Sequence, residues 1–416
     1  MTDVRSRIDT LFDGAERECA GVFARIEKNE ELETARILAL FRRHEVALRH
    51  FSPSNGYGYD DTGRDTLERI YADFFGTEAA IVRPHIVSGT AALSLCLFGL
   101  LRPGDHLLSV TGLPYDTMQT VIGLSGDAPG SLREMNVNYS QVDLKDGHLD
   151  VPAICAALRP DTRVVMLQRS RGYDWRPSLL PNEMREAIEK IHYIKPDVFV
   201  MVDNCYGEMI CPEEPTHVGA DLCVGSLIKN IGGGLAPTGG YICGSKMAVE
   251  RIAARMTAPG IGREEGSYAA DYRPFYQGLF MAPHTVAQAL KVSVLAARVF
   301  ERLGMKTTPR YDEARSDIIQ AIELKNRERL IAFCQGIQGA SPVDANAVPE
   351  PWDMPGYADQ VIMAAGTFVA GASIELSADG PMREPYIAYL QGGLTYAHGK
   401  IALKETVRGL AAKGLL

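Results

Sequence analysis

The chain has 416 residues, 46% of them apolar and 23% charged, which suits a large core and two or three domains better than one. A formal net charge of −9 without any block of Lys and Arg argues against a nucleic-acid footprint. The opening "MTDVRSRIDTLFDGAERECA" lacks the apolar stretch of a secretory signal, and no uninterrupted apolar run nears the roughly twenty residues of a membrane span, so a cytoplasmic protein is expected.

Residues 15–50 read as helical, with apolar and charged positions at a period near 3.6. "FSPSNGYGYDDTG" breaks that helix with Pro and Gly. From about residue 64 the pattern becomes α/β. "DTLERIYADFFG" is a helix, "AAIVRP" a short strand and "GTAALSLCLFGLL" a buried helix. "HLLSV", "RVVMLQ", "DVFVMVD", "DLCVGS" and "GGYICG" are further strands, with helical stretches such as "PNEMREAIEKIHYI" between several of them. This alternation predicts a mostly parallel sheet flanked by helices. Past residue 285 the helices lengthen. "GIQGASPV" and "GASIELS" read as strands of a smaller α+β unit, and "ADGP" after the second as a turn. The division expected is a helical arm over 1–55, a large α/β domain over 56–285 and a small α+β domain over 286–416. The eight scattered cysteines form no C-x-x-C and read as reduced thiols, mostly buried; with nine unclustered histidines they predict no metal site.

The chemistry gathers around "GSLIKNIGGGLAPTGGYICG". Lys229 follows a strand and precedes Gly232, Gly233 and Gly234, a run that suggests close approach of the backbone to something. Asp203 ends the preceding strand, where ligands of open parallel sheets sit; capping of a following helix is its other reading. Ser88, Gly89 and Thr90 open a helix whose free amides and two hydroxyls suit an anion such as phosphate. Tyr115 and Ser226 also fall at the ligand edge. Together these parts describe a pyridoxal phosphate site. Lys229 would form the Schiff base. Asp203 would keep the pyridine nitrogen protonated. Ser88, Gly89, Thr90 and Ser226 would hold the phosphate, and Tyr115 would stack on the ring. "QRSRGYDWRP", with Arg169 and Arg171, is a candidate pocket wall or a solvated loop. "GIGREEG" does not match the dinucleotide fingerprint.

The segments "YGYDDTGRDTLE", "RPHIVSGTAAL", "LPYDT", "LQRSRGYDWRPSL", "VDNCYGE", "GSLIKNIGGGLAPTGGYI" and "GASIELSADGPMREPY" resemble fold-type I pyridoxal-phosphate enzymes of cysteine and methionine metabolism. Within them the sequence is most similar to the methionine gamma-lyase-like, aluminium-resistance family, relatives of the cystathionine lyases. The resemblance implies the same roles for Lys229, Asp203, Ser88, Gly89 and Ser226, and makes Tyr115 a stacking tyrosine that also helps the leaving group. It implies tetramers built from dimers, in which Tyr59 reaches a neighbouring subunit's phosphate. Asp61 stands where the class has an arginine, with Arg64 the nearest substitute, and Ile228 stands where it favours threonine.

The reading is a lyase acting by β- or γ-elimination on an L-amino acid such as a methionine-, cystathionine- or cysteine-like substrate, giving a keto acid and ammonia. Arg383 is the candidate for the substrate carboxylate, since a guanidinium fork matches it, with Arg171 and Arg169 next. An aminotransferase on the same fold and a non-catalytic binding protein are the alternatives. The partners expected are an amino-acid substrate and further copies of the chain in a homodimer or homotetramer with shared sites, and neither nucleic acid nor membrane.

Overall fold

The computed structural model describes residues 2–126, 129–354, 357 and 359–416. Strands β1 (Ala79–Arg83), β2 (His106–Ser109), β3 (Asn138–Gln141), β4 (Thr162–Gln168), β5 (Phe199–Asp203), β6 (Leu222–Ser226) and β7 (Gly240–Gly244) form one sheet in the order β1-β7-β6-β5-β4-β2-β3. Only β7 runs against the others. Helices cover both faces, so β5, β6 and β7 are buried throughout, as their nearly unbroken apolar runs require. The second sheet is antiparallel. It orders β8 (Thr307–Thr308), β9 (Gln320–Glu323), β10 (Val361–Ala364), β11 (Ser377–Pro381) and β12 (Ile387–Gln391) as β10-β11-β12-β9-β8.

Helices α1 (Thr2–Arg43), α2 (Thr62–Phe74), α3 (Gly89–Leu100), α4 (Asp116–Ile122), α5 (Val151–Ala157), α6 (Pro181–Ile194) and α7 (Lys246–Met256) precede the long α8 (Arg273–Arg302); α9 (Arg327–Gly339) and α10 (Tyr396–Ala412) follow it. The boundary expected at 285/286 falls inside α8. The first half of α8, through Tyr276, Leu279 and Val286, packs with residues of the large sheet such as Val82 and Tyr241. Its second half, through Val292, Leu295 and Val299, packs with Ile362, Ala378 and Leu390 of the small sheet. Among the described residues α8 alone is long and apolar enough to cross a membrane, and 72% of that stretch is buried inside the protein. Its apolarity is that of a helix enclosed by two cores.

Three expectations are corrected. The first helix begins at Thr2, not residue 15, and ends at Arg43. Gly14 lies within it because Arg302 passes there: a Cβ would stand 2.2 Å from its Nη1. "GIQGASPV" is not a strand: residues through Gly339 finish α9, where Gly336 lies against Thr406 of α10. In "GASIELS" only Ser377 is in a strand. The buried carboxylate of Glu375 accepts from the amides of Phe368 and Val369, both at 2.9 Å, and bends the segment around itself. The strand is instead "SADGP", so Gly380 and Pro381 do not redirect the chain.

Candidate functional site

A cavity of about 510 Å³ opens at the carboxyl ends of β4, β5 and β6, closed on the far side by β11 and β12. It brings together Ser88, Gly89, Thr90, Tyr115, Asp203, Ser226, Lys229, Arg171 and Arg383.

Lys229 leaves β6 just before a short turn, Asn230–Gly232. Its Nζ donates to the Tyr206 hydroxyl at 3.0 Å and stands 4.5 Å from the centre of that ring. Tyr206 has φ +72, a left-handed conformation uncommon for a bulky residue. Asn230 Nδ2 and the Ile318 amide hold it there by donating to its carbonyl at 2.9 and 3.2 Å. Burial disfavours the Lys229 ammonium, but Tyr206, Cys205 and Asp379 outweigh it, and the amine is held above its ordinary pKa.

Asp203 ends β5 and is buried, and no helix follows it to be capped. The Cys205 amide donates to its Oδ1 at 3.1 Å. Burial pushes its carboxyl up to about 6, against the pull of that amide and of Lys229. Beneath it, buried Arg169 donates to Asn204 at 2.6 Å, Glu214 at 3.1 Å and Ser316 at 2.9 Å. Arg169 therefore fixes the turn after β5 and lies off the cavity, which removes it as a substrate ligand.

Ser88 caps α3: its Oγ accepts from the Ala91 amide at 3.0 Å, leaving its hydroxyl proton free to donate. The amides of Gly89 and Thr90 are the first of the helix and have no intrahelical partner. A Cβ on Gly89 would meet Cys205 Sγ at 3.2 Å and Ser226 Cβ at 3.4 Å, so glycine lets the helix start lie beside Ser226. The Tyr115 hydroxyl is 3.0 Å from Thr90 Oγ1, and burial followed by the charge of Asp203 keeps its phenol well above the ordinary range. The three glycines after Lys229 do not line the cavity. A Cβ on Gly233 would stand 2.2 Å from the Gly278 carbonyl of α8, so the close approach is to the protein's own helix.

Of the far wall only Arg383, and Tyr173 within the candidate wall "QRSRGYDWRP", were read as bordering the site in the sequence. That wall places Tyr173, Tyr357, Asp379, Tyr389 and Gln391 on the cavity. Asp379 lies within the "ADGP" read as a turn; the polar residues at alternate positions Ser377 and Asp379 were its only local sign. Arg383 lines this wall with its side chain 54% exposed, 3.2 Å from Asp359. Arg171 is buried, donates to the Thr308 carbonyl at 2.7 Å and stands 3.7 Å from Asp317. Tyr59 is exposed, donates to Glu265 at 2.8 Å and does not line this cavity. Arg64 is buried, donating to the Gly58 carbonyl at 2.8 Å.

The site fits pyridoxal phosphate on its own chemistry: an amine for the aldehyde, a buried carboxylate seeking a cationic donor, and a helix start with hydroxyls for the phosphate. The fold is that of the fold-type I pyridoxal-phosphate enzymes. The Escherichia coli pyridoxal-5'-phosphate dependent protein YhfS superposes with a TM-score of 0.63 at 17% identity, over 92% of this chain and 97% of its own. The chain belongs to the methionine gamma-lyase family, whose model matches residues 8–411. It is 54% identical to the Bacillus subtilis (strain 168) protein YnbB, over 96% of each. A carbon-sulfur lyase involved in aluminum resistance from Clostridium novyi NT superposes with a TM-score of 0.93 at 48% identity, covering 97% of this chain and 95% of that one.

Tyr206→Phe removes the hydroxyl that helps hold the Lys229 ammonium. In cofactor-free protein, acylation of Lys229 by a water-soluble active ester, followed by mass spectrometry of its peptide, should then begin at lower pH. An unmoved midpoint would show that the phenol does not control the amine.

Proposed function

We propose that this protein is a pyridoxal-phosphate-dependent lyase that expels a sulfur leaving group from the β or γ carbon of an L-amino acid, yielding a keto acid and ammonia. The observation that carries the reading is Lys229 held by Tyr206 in one cavity with buried Asp203 and the open start of α3. Family membership and the similarity to a carbon-sulfur lyase support the reaction class.

When bound, the cofactor supplies an electron sink for charge developing at Cα. Lys229 would hold it, and its Nζ would be the group that takes the Cα proton. Asp203 would accept from the ring nitrogen. Ser88, Gly89, Thr90 and Ser226 would hold the phosphate by hydroxyl and amide donors, and Tyr115 would cover the ring. Arg383 receives the substrate carboxylate, exchanging it for Asp359 at the cavity wall. Borohydride treatment should fix the cofactor's mass on the Lys229 peptide of wild type and not of Lys229→Ala. Wild type should release ammonia from S-alkyl cysteines without any keto-acid acceptor. A strict need for an acceptor would favour an aminotransferase, and fixed cofactor with no turnover a binding protein.

A guanidinium makes two charge-assisted hydrogen bonds to a carboxylate that an ammonium cannot reproduce in geometry. Arg383→Lys is thus expected to lose about 1.5–3 kcal/mol of substrate binding, read as a rise in KM of about tenfold or more with the fixed cofactor unchanged. An unchanged KM would refute Arg383 as the anchor.

The active protein is further proposed to be a dimer or a tetramer built from two dimers, with Tyr59 completing the neighbour's phosphate site. The support is that Tyr57 and Tyr59 are both exposed, pack ring to ring at 5.5 Å and lie off their own cavity. Co-expressed Lys229→Ala and Tyr59→Phe chains should then recover tight cofactor retention that the Tyr59→Phe protein alone lacks. A fully active monomer would refute the arrangement.

A further inference from the structure

With Lys229, Asp203 and the start of α3 given to the cofactor, the rest of the cavity is left for the substrate. That part carries four carboxyls, Asp116, Asp174, Asp359 and Asp379, against two guanidiniums, Arg171 and Arg383. Arg171 already faces Asp317, which does not line the cavity, and Arg383 is the proposed anchor of the α-carboxylate. Once an α-carboxylate is seated, the substrate space is therefore short of positive charge.

The shortage has a definite place on the wall formed by β11 and β12. Asp379 is buried there, hydrogen-bonded by Tyr173, and Gln391 Nε2 donates to its Oδ2 at 3.1 Å. That contact fixes the orientation of the Gln391 amide, because a carboxylate accepts only from its nitrogen end. The other end, Oε1, is then an acceptor. It is buried with no hydrogen-bond partner among the described residues, while Gln391 is 6% exposed and lines the cavity. A buried acceptor in that state calls for a donor. Beside it the rings of Tyr357, Tyr173 and Tyr389 run along the wall, with successive centres 5.8 and 5.2 Å apart. Aromatic rings attract a cation placed against their faces. An ammonium satisfies all three features. An alkyl end would leave Oε1 unpaired, and a carboxylate would be repelled by Asp379.

We propose that the site selects substrates whose side chain carries an ammonium beyond the sulfur, and that Asp379 and Gln391 receive it. The inference rests on the lyase reading above. It commits to a cationic end without a second carboxylate. The two-headed end of a cystathionine would bring its carboxylate among Asp116, Asp174 and Asp359 with no guanidinium left to meet it. The two ends of the substrate are received at different points. Arg383, near Asp116 and 3.2 Å from Asp359, takes the α-carboxylate at the rim, and Asp379 takes the ammonium on the buried wall.

The groups facing Asp379 leave room for that cation. They are Lys229 from the loop after β6, Tyr173 from the loop after β4, Tyr357 ahead of β10, Tyr389 and Gln391 from β12, and Cys334 from α9. Burial holds the phenols above their ordinary range, Tyr357 up to about 12, and holds the Cys334 thiol well above its own. Lys229 is the one cation among them, and in the loaded protein it serves the cofactor. Burial raises the Asp379 carboxyl to about 7, with Lys229, Tyr173 and Gln391 pulling the other way. The carboxylate is the form that receives an ammonium. Its contribution is therefore present above about pH 7 and is lost as pH falls through it.

The test compares thioethers of similar size and different charge on the cofactor-loaded protein. S-(2-aminoethyl)-L-cysteine is cationic at its far end, S-propyl-L-cysteine neutral and S-carboxymethyl-L-cysteine anionic; L-cystathionine is the two-headed case. In wild type, kcat/KM for the aminoethyl compound should exceed that for the propyl compound by about tenfold or more. The carboxymethyl compound should fall below the propyl one, and cystathionine below the aminoethyl one. Asp379→Asn is expected to lower kcat/KM for the aminoethyl compound by about tenfold or more, chiefly through KM, and for the propyl compound by only a few-fold. Cofactor fixed on Lys229 by borohydride should be unchanged. Equal losses on both compounds would overturn the proposal and make Asp379 a group that only shapes the cavity. A wild type that prefers the propyl compound, the carboxymethyl compound or cystathionine would overturn it too. Wild-type protein that carries fixed cofactor and processes none of the four would instead overturn the lyase reading. If the variant does not fold, wild-type pH profiles decide: the ratio of aminoethyl to propyl kcat/KM should rise as pH rises through about 7, and a flat ratio overturns the assignment.

Discussion

A contact between two stretches of bare backbone holds both halves of the cavity in place. A Cβ on Gly278 of α8 would lie 2.3 Å from the Gly232 carbonyl, and one on Gly233 would lie 2.2 Å from the Gly278 carbonyl. No side chain fits there, and Thr285 of the same helix donates to the Gly233 carbonyl at 3.2 Å. The loop that carries Lys229 is therefore seated directly on α8. About two turns beyond Thr285, α8 enters the core of the small sheet through Val292 and Leu295. One helix thus sets the lysine on one wall and the β11–β12 face on the other, and contacts across the cavity, such as Tyr173 against Tyr389 with ring centres 5.2 Å apart, add to it.

Charge then sorts the residues inside. Burial raises three carboxyls to different heights: Asp203 to about 6 and Asp379 to about 7, both on the cavity, and Glu208, off it, to about 8. The Cys205 amide and Lys229 restrain Asp203, while Glu208 has the Tyr241 hydroxyl, donating at 2.8 Å. Burial therefore opposes ionisation less at Asp203, which Lys229 helps to hold down, than at Glu208. A cationic ring nitrogen placed against Asp203 would add the stabilisation that burial withholds from its carboxylate.

The cofactor half of the site was legible because each part is local. The cap at Ser88, the acid ending β5 and the lysine after β6 are read from a few consecutive residues at the ends of strongly apolar strands. The large sheet was legible for the same reason: buried parallel strands leave unbroken apolar runs. The small sheet left no such trace. β11 reads Ser-Ala-Asp-Gly-Pro, a turn by every local rule, and it is a strand because β10 and β12 pair with it on both sides. Gly380 is required there, since a Cβ would stand 2.5 Å from the Ile387 carbonyl. Glu375 was equally misleading, an acid inside an apolar run that serves to fold a loop. Asp379 and Tyr206 went unassigned because their roles exist only across tertiary contacts.

Two arginines border the substrate space, and burial separates what each can do. The Arg171 guanidinium is wholly enclosed, bonded to the Thr308 carbonyl and set against Asp317, which is itself fully buried. Turning it toward a substrate would leave the Asp317 carboxylate without a counter-charge in the interior, a strongly unfavourable arrangement. Arg383 stands at the rim. Its partner Asp359 is 38% exposed, so water can solvate that carboxylate when the guanidinium turns away. Exposed pairs of this kind are worth only about 0–1 kcal/mol, so a substrate carboxylate needs little advantage to replace Asp359. The same exposure lets Arg383 accompany the ligand inward, whereas Arg171 can contribute only as fixed positive charge behind the wall.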